Sequence, residues 1–95
     1  MRAEVIAFAK VMEAKLAAND GKGGWHHETT GYLSRRLYQE LEELSRARVS
    51  YEQASGKWPR DLELVKRRRE ELVEECADVA NFAMMIADVA GGLEN

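Results

Sequence analysis

Two short acidic stretches carry the residues that could do chemistry: Gln39-Glu40-Leu41-Glu42-Glu43-Leu44 and Glu74-Glu75-Cys76-Ala77-Asp78-Val79. Glu40 and Glu43 are three apart, so on a helix they share a face. Glu75 and Asp78 repeat that relation. If the helices carrying them pack antiparallel, four carboxylates converge on one spot. Their mutual repulsion then demands cations. An all-oxygen donor set favours Mg²⁺, with Mn²⁺ as a substitute, over zinc or copper. Mg²⁺ keeps several waters and bridges to phosphates, so such a site suits phosphoryl chemistry. Asp78 stands out because it lies in an apolar run, with Val73, Cys76, Ala77, Val79 and Phe82 around it. An acid in that setting needs a reason. Glu-x-x-Glu alone is common, and Glu42, Glu70 and Glu71 read as ordinary solvated acids.

The elements that must position these acids are helical. Gly21, Gly23 and Gly24 mark one loop, Gly56 and Pro59 a second, and Gly91 and Gly92 an end. Between them the apolar spacing has the helical period, with no β-like alternation and no internal repeat. A first helix is expected from about Arg2 to Ala18, with Val5, Phe8, Met12 and Leu16 as its stripe and Asn19-Asp20-Gly21 as its stop. A second runs from Thr29 or Thr30 to Ala54, with a stripe of Leu33, Leu37, Leu41 and Leu44, and Tyr51 extending it. Thr29 or Thr30 supplies its N-cap. A third runs from about Arg60 to Ala90, with Pro59 and Asp61 at its start.

From Cys76 to Val89 that third helix is apolar on more than one face, so it must be covered on several sides. A chain of 95 residues with three helices cannot do this alone, which predicts a subunit interface. With the hairpin loop placed at Ser55 to Pro59, the first acidic pair lies ~12 residues from the loop and the second ~16, an offset of roughly 6 Å at about 1.5 Å per residue. Convergence then calls for a longer loop, a break near Lys66 to Arg69 or side-chain reach, and some irregularity is expected there.

Composition bounds the rest. The chain is one domain, residues 1–95. Hydrophobic residues at 45% and charged residues at 33% describe a globular protein, not a disordered one. Fourteen basic and seventeen acidic residues leave a net charge of −3, which argues against a general nucleic-acid binder. Lys66-Arg67-Arg68-Arg69 does not reverse this, because Arg60 to Glu71 holds five basic and four acidic residues and reads as a solvated face. A single cysteine, Cys76, excludes an intrachain disulfide and a multi-cysteine zinc site and fits a reducing, cytoplasmic setting. No apolar run of about 18 residues is present, so no membrane span is expected, and Met1 to Lys10 lacks a signal-peptide layout.

Several residues near the acids have two readings. Trp25, in Gly21-Lys22-Gly23-Gly24-Trp25, could stack on a nucleobase while Lys22 reaches a phosphate; alternatively Trp25 staples the second helix. Asn81, one turn past Asp78, either touches sugar or base or ties two helices together. Arg36, four before Glu40, is a phosphate contact or an i,i+4 partner. His26-His27-Glu28 lacks the His-Glu-x-x-His pattern and reads as solvated loop.

Taken together, Glu40-Leu41-Glu42-Glu43-Leu44 and Glu75-Cys76-Ala77-Asp78-Val79 resemble the paired acidic motif of the MazG-like, all-α nucleoside triphosphate pyrophosphohydrolases. Glu74 to Phe82 is the closest match, and Gly24-Trp25 resembles the corresponding element of small phage- and mobile-element-type members. The resemblance spans roughly Lys22 to Ala90. It implies a helical bundle whose four-helix core is completed by oligomerisation into a dimer or tetramer. It also implies that Glu40, Glu43, Glu75 and Asp78 bind Mg²⁺, which grips a nucleoside triphosphate and yields monophosphate and pyrophosphate. Glu43 is then the carboxylate that orients or deprotonates the attacking water. House-cleaning of non-canonical nucleotides is one role for such an enzyme. The spacing departs from the family, since the stretch from Leu44 to Glu74 is longer than its core. The competing expectation is a catalytically silent helical oligomer that binds a protein partner. A di-iron bundle is disfavoured, because no Glu-x-x-His pair is present on these helices.

Overall fold

The computed structural model describes residues 1–93, and these form three helices and no strand. Helix α1 spans Ala3–Ala18, α2 Thr30–Gly56 and α3 Leu62–Val89, with a single 3₁₀ turn at Asp20–Lys22. Helices α2 and α3 form a long hairpin, and α1 packs against α3. The molecule is elongated, 49 × 29 × 24 Å, because the hairpin arms are 27 and 28 residues long. Among the described residues no helix is long and apolar enough to cross a membrane.

Local chemistry accounts for the helix ends. Asn19 closes α1, and its side-chain amide donates to the Lys15 carbonyl at 2.9 Å. Of the two threonines expected as N-cap, Thr29 is the one used: its hydroxyl accepts from the Tyr32 amide at 3.1 Å. Asp61 caps α3 by accepting from the Leu64 amide at 3.1 Å. At the far end Gly91 takes a φ of 86°, and the amides of Gly91 and Gly92 donate to the carbonyls of Asp88 and Ala87. This is a Schellman stop, and glycine supplies the left-handed residue it needs.

The hairpin resolves the expected offset without any irregularity. Helix α3 is continuous through Lys66 to Arg69. The correction lies in the ends: α2 continues to Gly56 and α3 starts at Leu62. Glu43 therefore precedes Gly56 by the same number of positions as Glu75 follows Leu62. Glu40 and Asp78, one turn further from the loop, match in the same way. The two acidic pairs face each other level across the hairpin.

The core of a single chain is small. Among the described residues the buried apolar side chains are Leu33, Ala54, Val65 and Ala77, and only Leu33 is large and fully enclosed. The expected stripe of α2 is only partly covered: Leu37 and Leu44 are half-buried, and Leu41 is exposed. On α1, Phe8, Met12 and Leu16 face the body of the protein, while Val5 does not and stays half-open to solvent. From Cys76 to Val89 most of α3 remains half-buried, although α1 and α2 both pack on it.

Candidate functional site

The acids meet at mid-hairpin. Carboxylate oxygens of Glu40, Glu43 and Glu75 all lie within 4.8 Å of one another, close enough to ligate one ion. Glu40 is the buried member, Glu75 is half-buried and Glu43 is exposed. One oxygen of Glu40, Oε1, accepts from the Arg36 guanidinium at 3.1 Å. The other, Oε2, is buried with no hydrogen-bond partner, and so is Oε2 of Glu75. Buried carboxylate oxygens without donors are costly, so each calls for a proton or a bound cation. A hard divalent cation fits this donor set.

The electrostatics agree. Burial, then the adjoining carboxyl of Glu43 and the charge of Asp78, raise the Glu40 pKa to about 7, against a smaller opposing pull from Arg36. Glu75 is raised by burial and by Asp78 and Glu43, with Lys15 opposing. Asp78 is raised chiefly by burial, and Lys15 beside it pulls the other way. Three acids that resist ionising together are three groups that a bound cation would ionise.

Asp78 sits at the edge of this cluster, and its carboxylate faces α1. Its Oδ2 lies 3.5 Å from the ammonium of Lys15. A cavity of about 440 Å³ opens beside the cluster, between the end of α1, the Gly-rich loop, the first turns of α2 and the facing part of α3. Its lining includes the acids Asp20, Glu28, Glu40 and Asp78, the amide of Asn81, the basic side chains of Lys15, Lys22 and Arg36, and the apolar or aromatic surfaces of Trp25, Tyr32, Leu33, Phe82 and Met85. Cations beside aromatic surface suit a ligand with an anionic tail and a flat, apolar head.

Trp25 is delivered to this wall by glycine. Gly23 and Gly24 both take positive φ, at 96° and 73°. The indole N–H donates to Asp88 Oδ2 at 3.0 Å, so Trp25 ties the loop to the end of α3. The His26 ring stacks on it, with centroids 4.9 Å apart. His26 Nε2 also lies 3.6 Å from Asp88 Oδ2 and His27 Nε2 3.1 Å from Glu28 Oε1, while both rings stay largely exposed. Arg36 is the i,i+4 partner of Glu40 that its spacing predicts, and its guanidinium also lies over the Phe82 ring, 5.0 Å from the centroid, and contacts Gln39. Asn81 ties helices together, its side-chain N–H donating to the Met12 carbonyl at 3.1 Å. Its Oδ1 is buried without a partner in the cavity wall. Cys76 is half-buried next to the acids, and the basic run solvates its own helix face, with Arg68 paired to Glu71 at 2.9 Å.

Sequence reasoning missed Lys15 and Asp88. The signal for Asp88 was present, since it is an acid inside the apolar run Met85 to Val89, the same argument that singled out Asp78. Lys15 and Asp78 stand near opposite ends of the chain, and nothing local to either residue marks their meeting. No family model, curated protein or solved structure matches this chain.

Proposed function

We propose that this protein hydrolyses nucleoside triphosphates to nucleoside monophosphate and pyrophosphate in a Mg²⁺-dependent reaction, as a MazG-like pyrophosphohydrolase. The observation that carries the proposal is the buried, donor-free Oε2 of Glu40 within a cluster of three converging carboxylates. Mg²⁺ held there would neutralise phosphate charge and acidify a bound water. Glu40 and Glu75 supply the buried ligand oxygens, and Asp78 the ligand at the cavity edge. Glu43, the most exposed of the trio, would orient a water or take its proton. Lys22 and Arg36 offer positive charge to the phosphates, Trp25 a flat surface to the base, and Asn81, whose buried Oδ1 lacks a partner, an acceptor at the cavity wall for sugar or base.

We further propose that two or more copies complete a four-helix core. This rests on the small buried core of one chain and on Val49 and Val73, apolar side chains left exposed on the hairpin arms. A silent partner-binding module is the second reading, favoured by Trp58 and Leu62, which stand 83% and 72% exposed at the hairpin tip. The presence of all four acids favours the enzyme. A screen of canonical and modified nucleoside triphosphates with Mg²⁺, Mn²⁺ or EDTA tests the choice. Metal-dependent pyrophosphate release from a subset is expected. No release by a folded protein that binds Mg²⁺ would leave the silent module.

A further inference from the structure

We propose that Lys15 is an internal stand-in for the metal, holding Asp78 while the acidic site lacks a divalent cation and moving to a polyphosphate oxygen in the adjoining cavity once the cation binds. The inference rests on the metal-dependent reading of the acidic cluster.

Three observations carry it. Lys15 belongs to α1, whereas the acids belong to α2 and α3, so its ammonium is brought to Asp78 only by the tertiary fold, 3.5 Å from Oδ2. The pair is part-buried, with side chains 31% and 24% exposed, so it is neither sealed in the core nor a freely solvated surface contact. Both residues line the cavity that also carries Lys22 and Arg36, so an anion drawn to those cations would lie within the same walls as Lys15.

The two cations that touch the acids differ in their freedom. The Arg36 guanidinium is laid on Phe82 and bonded to Glu40. That planar group is held on two sides and is suited to stay. An ammonium on a four-carbon stem carries a compact charge and can rotate to a new acceptor. A divalent cation among the carboxylates would supply the charge that Lys15 supplies in its absence, and the Lys15 ammonium would then be repelled from Asp78. A polyphosphate entering the cavity attracts the same ammonium, so metal and anion both favour the exchange.

The test compares wild type with Lys15→Met, which keeps an apolar stem, on two probes. Mn²⁺ alone is titrated by the loss of its free-ion electron paramagnetic resonance signal. Inorganic tripolyphosphate is titrated calorimetrically at saturating Mg²⁺. Removing a competing part-buried ion pair should tighten Mn²⁺ by on the order of three- to tenfold. Losing the relocated ammonium should weaken tripolyphosphate by about tenfold. Opposite signs support the exchange, because a purely structural role would weaken both. Equal or weaker Mn²⁺ binding by the variant overturns it while leaving the proposed function standing. No Mn²⁺ binding by wild type overturns both. If the variant unfolds, the ¹⁵Nζ resonance of Lys15 in wild type decides. It should move on adding Mg²⁺ and again on adding tripolyphosphate, and an unmoved signal overturns the proposal.

Discussion

Without metal, this protein should be more stable at pH 5 than at pH 8, and Glu40 is the main cause. Its ordinary value is 4.5 and its folded value about 7, because burial and the neighbouring carboxylates disfavour its charge. The folded state therefore holds a proton that the unfolded state releases. The stabilisation is fully present below about 4.5 and is lost as pH rises through about 7. The shift corresponds to about 3 kcal/mol at about 1.4 kcal/mol per unit. Glu40 is only 8% exposed, so solvent screens it little. Glu75 and Asp78 are raised as well and add to the trend with the same sign. For a chain of this size about 3 kcal/mol moves the melting temperature by more than about 10 °C. The assay is circular-dichroism melting from pH 5 to 8 in EDTA at fixed protein concentration, since association also shifts apparent stability. Saturating Mg²⁺ should reverse the slope, because the ion binds the deprotonated site and gains affinity as pH rises. Glu40→Gln should flatten the EDTA profile, stabilise the protein at pH 8 and abolish the Mg²⁺ response. A wild-type profile in EDTA that is flat or rises with pH would overturn this explanation, as would an unchanged slope in Glu40→Gln.

Other outcomes follow from individual contacts. Glu43→Gln and Asp78→Asn should each abolish turnover while leaving helical ellipticity at 222 nm near wild type, since neither side chain is buried in the apolar core. Trp25→Ala should raise KM more than it lowers kcat, and Asp88→Ala should give a milder form of the same change by releasing the indole N–H. A large fall in melting temperature without that KM signature would make Trp25 a structural anchor only. Asn81→Ala should cost about 1 kcal/mol in urea unfolding, because the side-chain hydrogen bond that ties α3 to the Met12 carbonyl of α1 is lost.

Local spacing encodes what could be seen in the sequence. Three helices, the Thr29 cap, the glycine stops and the two acidic pairs follow from period, capping chemistry and backbone freedom. The level pairing of the acids was obscured by small shifts in the helix ends on either side of the hairpin loop, where propensity is weak and tertiary contact decides. Leu41 and Val5 were misassigned to buried stripes because each helix meets its neighbour along a narrower seam than its apolar pattern suggests. The contacts that complete the site join distant parts of the chain: Lys15 to Asp78, Trp25 to Asp88 and Asn81 to Met12. Each depends on how α1 and the loop after it lie on α3, which no residue pattern within one helix specifies. Arg36 and Glu40 show the intermediate case. Their i,i+4 spacing was legible, but the burial that makes the pair part of a site was not.

Whether the reaction is pyrophosphohydrolysis is read most plainly by ³¹P nuclear magnetic resonance of the products formed from a nucleoside triphosphate selected by the screen. With Mg²⁺ the spectrum should show a nucleoside monophosphate and pyrophosphate in equal amounts, and neither in EDTA or with Glu40→Gln. Release of orthophosphate with a nucleoside diphosphate, or equal turnover in EDTA, would contradict the proposed function.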